Sequence, residues 1–337
     1  MKINSAFALL TFLLLPSTLL AGTDETDQEQ ASSDKPEYVR IRRSERRAAE
    51  ALETSIIRFG GSRKYSGATV DLIGAIHLGE ESYYDELNRR FRDYDVLLFE
   101  AVMPEEAVRR GLRPGGDKGA RRRSVSDEQE WTEAKVGLQA IGILQLGMKD
   151  ALGLEFQLTG IDYTGRNFVH ADMTQEEFEA TMARRGESFS QLLVQEMSKA
   201  AIKQQDVNPL AQQLDLVISL LSSDRKYGVR RIAAVELTKA NDGEAFAGSD
   251  GTSTIITERN KAALKVLQQQ LRKGKKNIGI FYGAGHFPDM EERMLNEFGF
   301  ERQSEEWITA WNLKAPVKKS SKQSARSSAT KAAGASQ

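Results

Sequence analysis

Read for hydrophobic period alone, the chain changes rhythm several times. Ser55 to Phe59 and Ala68 to Ile76 are apolar and β-branched runs around a glycine-containing turn, a pattern that predicts two strands. Glu81 to Arg92 then sets Tyr84, Leu87 and Phe91 on one face at spacings of three and four, the mark of an amphipathic helix. Asp95 to Val102 returns to a short apolar strand. Strand, helix and strand in so short a stretch make a βαβ unit, which implies that the two strands pair as parallel neighbours through a right-handed crossover. Upstream, the charged segment Glu37 to Leu52 reads as a helix. Downstream, Gln129 to Leu152 reads as a helix, Glu155 to Asp162 as a strand and Asn167 to Asp172 as a turn. Thr174 with Glu177 three residues later is a capping box opening the next helix. Phe189 to Arg272 is largely helical, an insertion of about 175–272 between sheet strands. Asn277 to Tyr282, Asp289 to Phe298 and Glu305 to Leu313 close the domain as strand, helix and strand, with Trp307 and Trp311 on one face of the last. The expected fold is α/β: a duplicated βαβ core forming a mixed, mainly parallel sheet, with an inserted helical region over residues 55–313.

The ends of the chain read differently. Met1-Lys2, the apolar run Ala6 to Leu15 and the small residues up to Gly22 have the layout of a secretory signal peptide, residues 1–22. The run is short of the ~20 residues a membrane span needs. Residues 23–54 read as a linker and charged segment. Residues 314–337 carry six basic residues and no acid, a basic low-complexity tail on a mildly acidic body, since the whole chain has net charge −1. The Arg/Gly-rich stretch Pro104 to Asp127 reads as a solvated loop, with a lid or anion-binding loop as the alternative. Nothing in the body shows basic residues gathered on a folded face, so no nucleic-acid partner is expected. With no cysteine among 337 residues, disulfides, thiol nucleophiles and thiolate metal sites are excluded. An exported protein without disulfides suits the periplasm or surroundings of a bacterium, unanchored in the membrane once its leader is removed.

The chemistry gathers in a repeated corner. Gly74-Ala-Ile-His77 and Gly283-Ala-Gly-His286 each follow an apolar strand and precede a helix whose first residues are acidic. In open parallel sheets ligands sit beyond the carboxyl ends of the strands, where both histidines would emerge. Gly74 and Gly283 are expected to let the backbone turn sharply there. Glu100 interrupts the apolar run Val96 to Val102 near the same edge, and a carboxylate in such a run is costly unless paired or metal-bound. The chain has three histidines, and two fall in this motif. Two imidazoles and a carboxylate admit two chemistries: a three-ligand metal site of His77, Glu100 and His286 with room for water, or a metal-free general base pair. Arg259 offers a fixed guanidinium for Glu100, for a substrate carboxylate or for an oxyanion. Asn260 is a polar group for the same site. Asp162, ending its expected strand, and His170 complete the substrate-facing candidates.

These residues carry a resemblance. Gly74 to His77, Glu100, Arg259-Asn260 and Gly283 to His286, spread in this order over roughly Ile56 to Leu313, resemble the TraB/PrgY–Tiki superfamily, which includes GumN-like, ChaN-like and erythromycin-esterase-like proteins. The resemblance implies an α/β fold from a duplicated βαβ core. Its Tiki members imply a metal-dependent peptidase using manganese or cobalt, and zinc is compatible with the same donors. Other members imply two alternatives: a non-catalytic peptide- or haem-binding protein, or an esterase-type hydrolase needing no metal. The expected partner is a peptide or small-molecule substrate.

Overall fold

The computed structural model describes residues 36–114, 152–188, 191, 225–240 and 251–315. The expected leader peptide, the linker up to Asp34, all but the last residue of the helix Gln129 to Leu152, much of the insertion and nearly all of the basic tail lie outside the described residues, as does the distal part of the Arg-rich loop.

The segment expected as a charged helix is an antiparallel hairpin of β1 (Val39–Arg43) and β2 (Ala49–Gly60). Its charges form a cross-strand ladder: Arg40 Nε and Arg42 Nε donate to the two oxygens of Glu53 at 2.9 and 2.8 Å. Opposite charges facing each other across a strand pair stabilise it as i,i+4 pairs stabilise a helix, so the charges alone do not choose between the two. Ile56, Ile57 and Phe59 favour the strand, because they are buried in the sheet while Arg58 between them is exposed.

Then follow β3 (Thr69–Ala75), β4 (Leu78–Gly79), α1 (Glu81–Phe91), β5 (Val96–Phe99) and α2 (Glu105–Arg109). After the first undescribed stretch come β6 (Glu155–Phe156), α3 (Gln157–Gly160), β7 (Phe168–His170) and α4 (Gln175–Arg185). Helices α5 (Arg225–Ala240) and α6 (Arg259–Arg272), β8 (Asn277–Gly283), α7 (Phe287–Asn296) and β9 (Glu301–Asn312) complete the described chain. The fold is α/β. One sheet runs β2-β3-β8-β5-β7, with β1 sharing an edge of β2 with β3, and β9 along the other edge of β2.

β3, β8, β5 and β7 are mutually parallel. β3 and β5, expected as neighbours in a βαβ unit, are parallel but separated by β8, which pairs with both. β8 is buried along its interior, as a strand covered on both faces requires. Two further expectations differ. Glu155 to Asp162 is a two-residue strand followed by a helical turn, and the expected turn before Asp172 contains β7, whose Phe168 ring packs on Phe91, Phe99 and Tyr163. Three residues are too few for a period to show. The Thr174–Glu177 capping box is present. Trp311 is buried and donates from Nε1 to Leu78 O at 2.6 Å, while Trp307 lies partly exposed beneath the Arg40 guanidinium. Among the described residues no helix is long and apolar enough to cross a membrane.

Four parallel strands end at one rim. Ala75 lies beside Gly283, and Phe99 beside Phe281 and His170. Each strand delivers a polar residue just beyond its end: His77, His286, Glu100 and Asp172.

Candidate functional site

Glu100 is the hub. Its Oε2 accepts the Gly283 N–H at 2.6 Å, and its Oε1 accepts Arg259 Nη2 at 2.7 Å. His286 Nε2 stands 3.7 Å from the same Oε1. Burial pushes this carboxyl up, but the Arg259 guanidinium, the imidazoles of His286 and His77, and the Gly283 N–H outweigh it and hold it at about 2.

Arg259 is itself pinned. Its Nε and Nη2 donate to the two oxygens of Asp172 at 3.0 and 2.6 Å, a fork-to-fork pair with no exposure on the Asp172 side chain. Burial pulls the guanidinium down, yet Asp172 and Glu100 keep it charged. Asp172 Oδ1 also accepts the Met173 N–H at 2.8 Å, so one carboxylate orients the arginine and starts the chain towards α4. Nothing in the sequence single out Asp172 beyond its place just after a short strand, the rim rule applied to β7.

His286 is buried, its ring edge-on to Tyr282. Its Nδ1 lies 2.6 Å from Asn260 Oδ1. Asn260 Nδ2 donates to His286 O at 3.0 Å and Asp289 Oδ2 at 2.8 Å. Both of those atoms only accept, so the amide cannot be turned round, and Oδ1 must accept the Nδ1 proton. The Nε2 lone pair therefore faces Glu100. Burial lowers this imidazole to about 4, with Glu100 opposing that shift and Arg259 adding to it.

His77 is exposed, beyond β3. Its Nδ1 lies 3.2 Å from Gln157 Oε1, and its carbonyl accepts the Gln157 N–H at 2.9 Å. Gln157 was not readable as a site residue; it opens a short helix far away in sequence.

The glycines act by close approach. Neither has positive φ. A Cβ at Gly283 would sit 3.3 Å from Glu100 Oε2, and one at Gly74 would sit 3.0 Å from Ser55 O. Instead of making a sharp turn, these positions make room, one for a carboxylate and one for a neighbouring strand.

Two candidates stand apart. Asp162 is exposed, its Oδ1 taken by Thr164 N and Oγ1 at 3.0 and 2.6 Å, and no contact links it to the cluster. His170 donates from Nε2 to Ala101 O at 2.7 Å and packs edge-on against Phe99, one residue from Glu100 but turned to the backbone.

Among the described residues no three His, Asp or Glu side chains stand as a group already close enough to hold a cation. The donor chemistry nevertheless suits one. The 3.7 Å between His286 Nε2 and Glu100 Oε1 is near the roughly 3.4 Å that separates two ligands bonded at about 2.1 Å to one tetrahedral ion. His77, exposed beyond β3 and engaged through Nδ1 by Gln157, is the donor that would have to approach.

The architecture and the rim define an α/β protein with a histidine–carboxylate–arginine cluster at the carboxyl ends of parallel strands. The family model described as the TraB/PrgY/gumN family matches residues 63–301, and the chain belongs to that family. No curated protein matches the chain.

Proposed function

We propose that this protein is an exported hydrolase that cleaves an acyl bond, a peptide bond first among them, with a divalent metal held by His77, Glu100 and His286. The observation that carries the reading is the bare Nε2 of His286 directed at Glu100 while its Nδ1 proton is fixed by Asn260. An imidazole held at about 4 is a weak base at neutral pH, because proton transfer is most effective when the pKa lies near the working pH. A neutral imidazole is the form that binds metal, so the same shift favours ligation. Glu100, ionised down to about 2, is likewise better suited to hold charge than to take a proton. When bound, manganese, cobalt or zinc would lower the pKa of a water and polarise the scissile carbonyl. The protein's own contribution is to orient His286 through Asn260, keep Glu100 anionic, and set the Arg259 guanidinium beside it, fixed by Asp172, where charge develops on the substrate.

The test is hydrolysis of a peptide library by purified full-length protein with Mn²⁺, Co²⁺ or Zn²⁺ and with a chelator, alongside simple esters. Metal-stimulated peptide cleavage lost in His286→Ala supports the reading. Ester cleavage unaffected by chelator would replace it with a metal-free hydrolase, and a haemin-induced Soret band without hydrolysis would replace it with a binding protein. Export is checked by whether the mature chain begins near residue 22.

A further inference from the structure

The two histidine corners share a feature that their sequences do not. Each imidazole is gripped twice by one carboxamide residue. Asn260 donates to His286 O and takes the His286 ring at Oδ1. Gln157 donates to His77 O through its backbone N–H, at 2.9 Å, and meets the His77 ring at Oε1, at 3.2 Å. Asn260 comes from α6 and is wholly buried, whereas Gln157 comes from α3 and is nearly so, its amide nitrogen donating to Tyr163 Oη at 3.1 Å. Two unrelated elements thus make the same pair of contacts on the two corners.

We propose that Gln157 is a positioning residue which, like Asn260, holds its histidine with the proton on Nδ1, so that both rings present a bare Nε2 to one shared electrophile. The inference rests on the metal-site reading for its purpose, but not for its test. An amide oxygen only accepts, so it selects the ring tautomer that donates from Nδ1. Ligating histidines hold their orientation in this way, by giving the second N–H to an outer acceptor. Turning the Gln157 amide round would place an N–H against His77 Nδ1 and move the ring proton to Nε2, where it blocks ligation. Asn260 has no such alternative, because both acceptors of its Nδ2 are fixed. His170 supplies an internal contrast: its Nε2 meets a backbone carbonyl, which demands the opposite tautomer.

The chain's three histidines allow a direct reading. Metal-free, nitrogen-15-labelled full-length protein is examined at about pH 8, above the ordinary imidazole pKa of about 6.5, by long-range proton–nitrogen correlation, with His77→Gln, His170→Gln and His286→Gln as assignments. The expected result is a proton on Nδ1 of His77 and His286 and on Nε2 of His170. A proton on Nε2 of His77 overturns the proposal. In Gln157→Leu, His77 should revert to the Nε2 proton and Co²⁺ affinity should fall about 10- to 100-fold, while Gln157→Glu, which keeps the acceptor, should restore the Nδ1 proton. An unchanged tautomer in Gln157→Leu also overturns the proposal, and if that variant does not fold, the wild-type spectrum decides alone. The expected tautomers with no Co²⁺ uptake would leave the positioning role standing and remove the metal reading.

Discussion

At the end of β8 the chain passes through one 3-10 turn, Ala284–His286, straight into α7, while at the end of β3 it crosses the short strand β4 before α1 begins. The first route keeps His286 buried between Tyr282 and Asn260, and the second leaves His77 on the surface beyond the sheet. The acids that follow differ as well. Asp289 accepts from Asn260 and Arg293, inside the network that orients His286. Glu80 accepts from the buried Arg230 at 2.5 Å, which also donates to Leu152 O and Gly153 O and so ties α5 to the His77 corner. Similar sequence thus yields one fixed imidazole and one accessible imidazole.

Arg259 joins the buried side of this comparison, and removing it should have the largest effect. Arg259→Ala leaves Glu100 and Asp172 as adjacent carboxylates without their cation, at a cost of about 3–5 kcal/mol in a denaturant titration. A loss below that of an ordinary surface substitution would show that the pair is not held in solution. The corners themselves should separate next. His286→Ala should cost about 1–3 kcal/mol, because it deprives wholly buried Asn260 Oδ1 of its donor, whereas His77→Ala, at an exposed position where water can replace the donor to Gln157 Oε1, should stay within about 0.5 kcal/mol. Equal losses would dissolve the distinction. Gly283→Ala and Gly74→Ala should each cost about 1–3 kcal/mol by overpacking, and Gly283→Ala alone should also displace the Glu100 carboxylate and weaken Co²⁺ uptake.

The pH dependence sharpens the buried corner. His286 and Glu100 both have folded values below their unfolded ones, so the stability they contribute is complete above the unfolded value and lost as pH falls through the folded one. For metal-free protein the His286 contribution should therefore decline from about pH 6.5 towards pH 4, and that of Glu100 from about 4.3 towards 2. A urea series against pH should show the upper limb flattened in His286→Gln, and an unchanged slope would contradict a buried neutral ring. The smallest effect belongs to Asp162→Asn, within about 0.5 kcal/mol and without change in hydrolysis, since that carboxylate serves only its own turn.

Local pattern made the two corners, Glu100, the capping box at Thr174 and the amphipathic α1 legible, because each is written within a dozen neighbouring residues. The partners that give the site its electrostatics are not local. Asp172 reaches Arg259 across 87 positions and Gln157 reaches His77 across 80, and neither has a period or motif to announce it. The insertion of β8 between β3 and β5 is equally hidden, since a βαβ pattern fixes direction but leaves room for a later strand. The hairpin of β1 and β2 is hidden for another reason: alternating charge serves a helix face and a strand ladder alike.

The proposed function depends on a buried and an exposed imidazole serving one site with Glu100. Titration of Co²⁺ into metal-free protein, followed by its visible absorption, tests this most directly. Uptake of one equivalent by the wild type is expected, with loss of that uptake in His77→Ala and in His286→Ala alike. Unaltered uptake in His77→Ala, or none by the wild type, would contradict it.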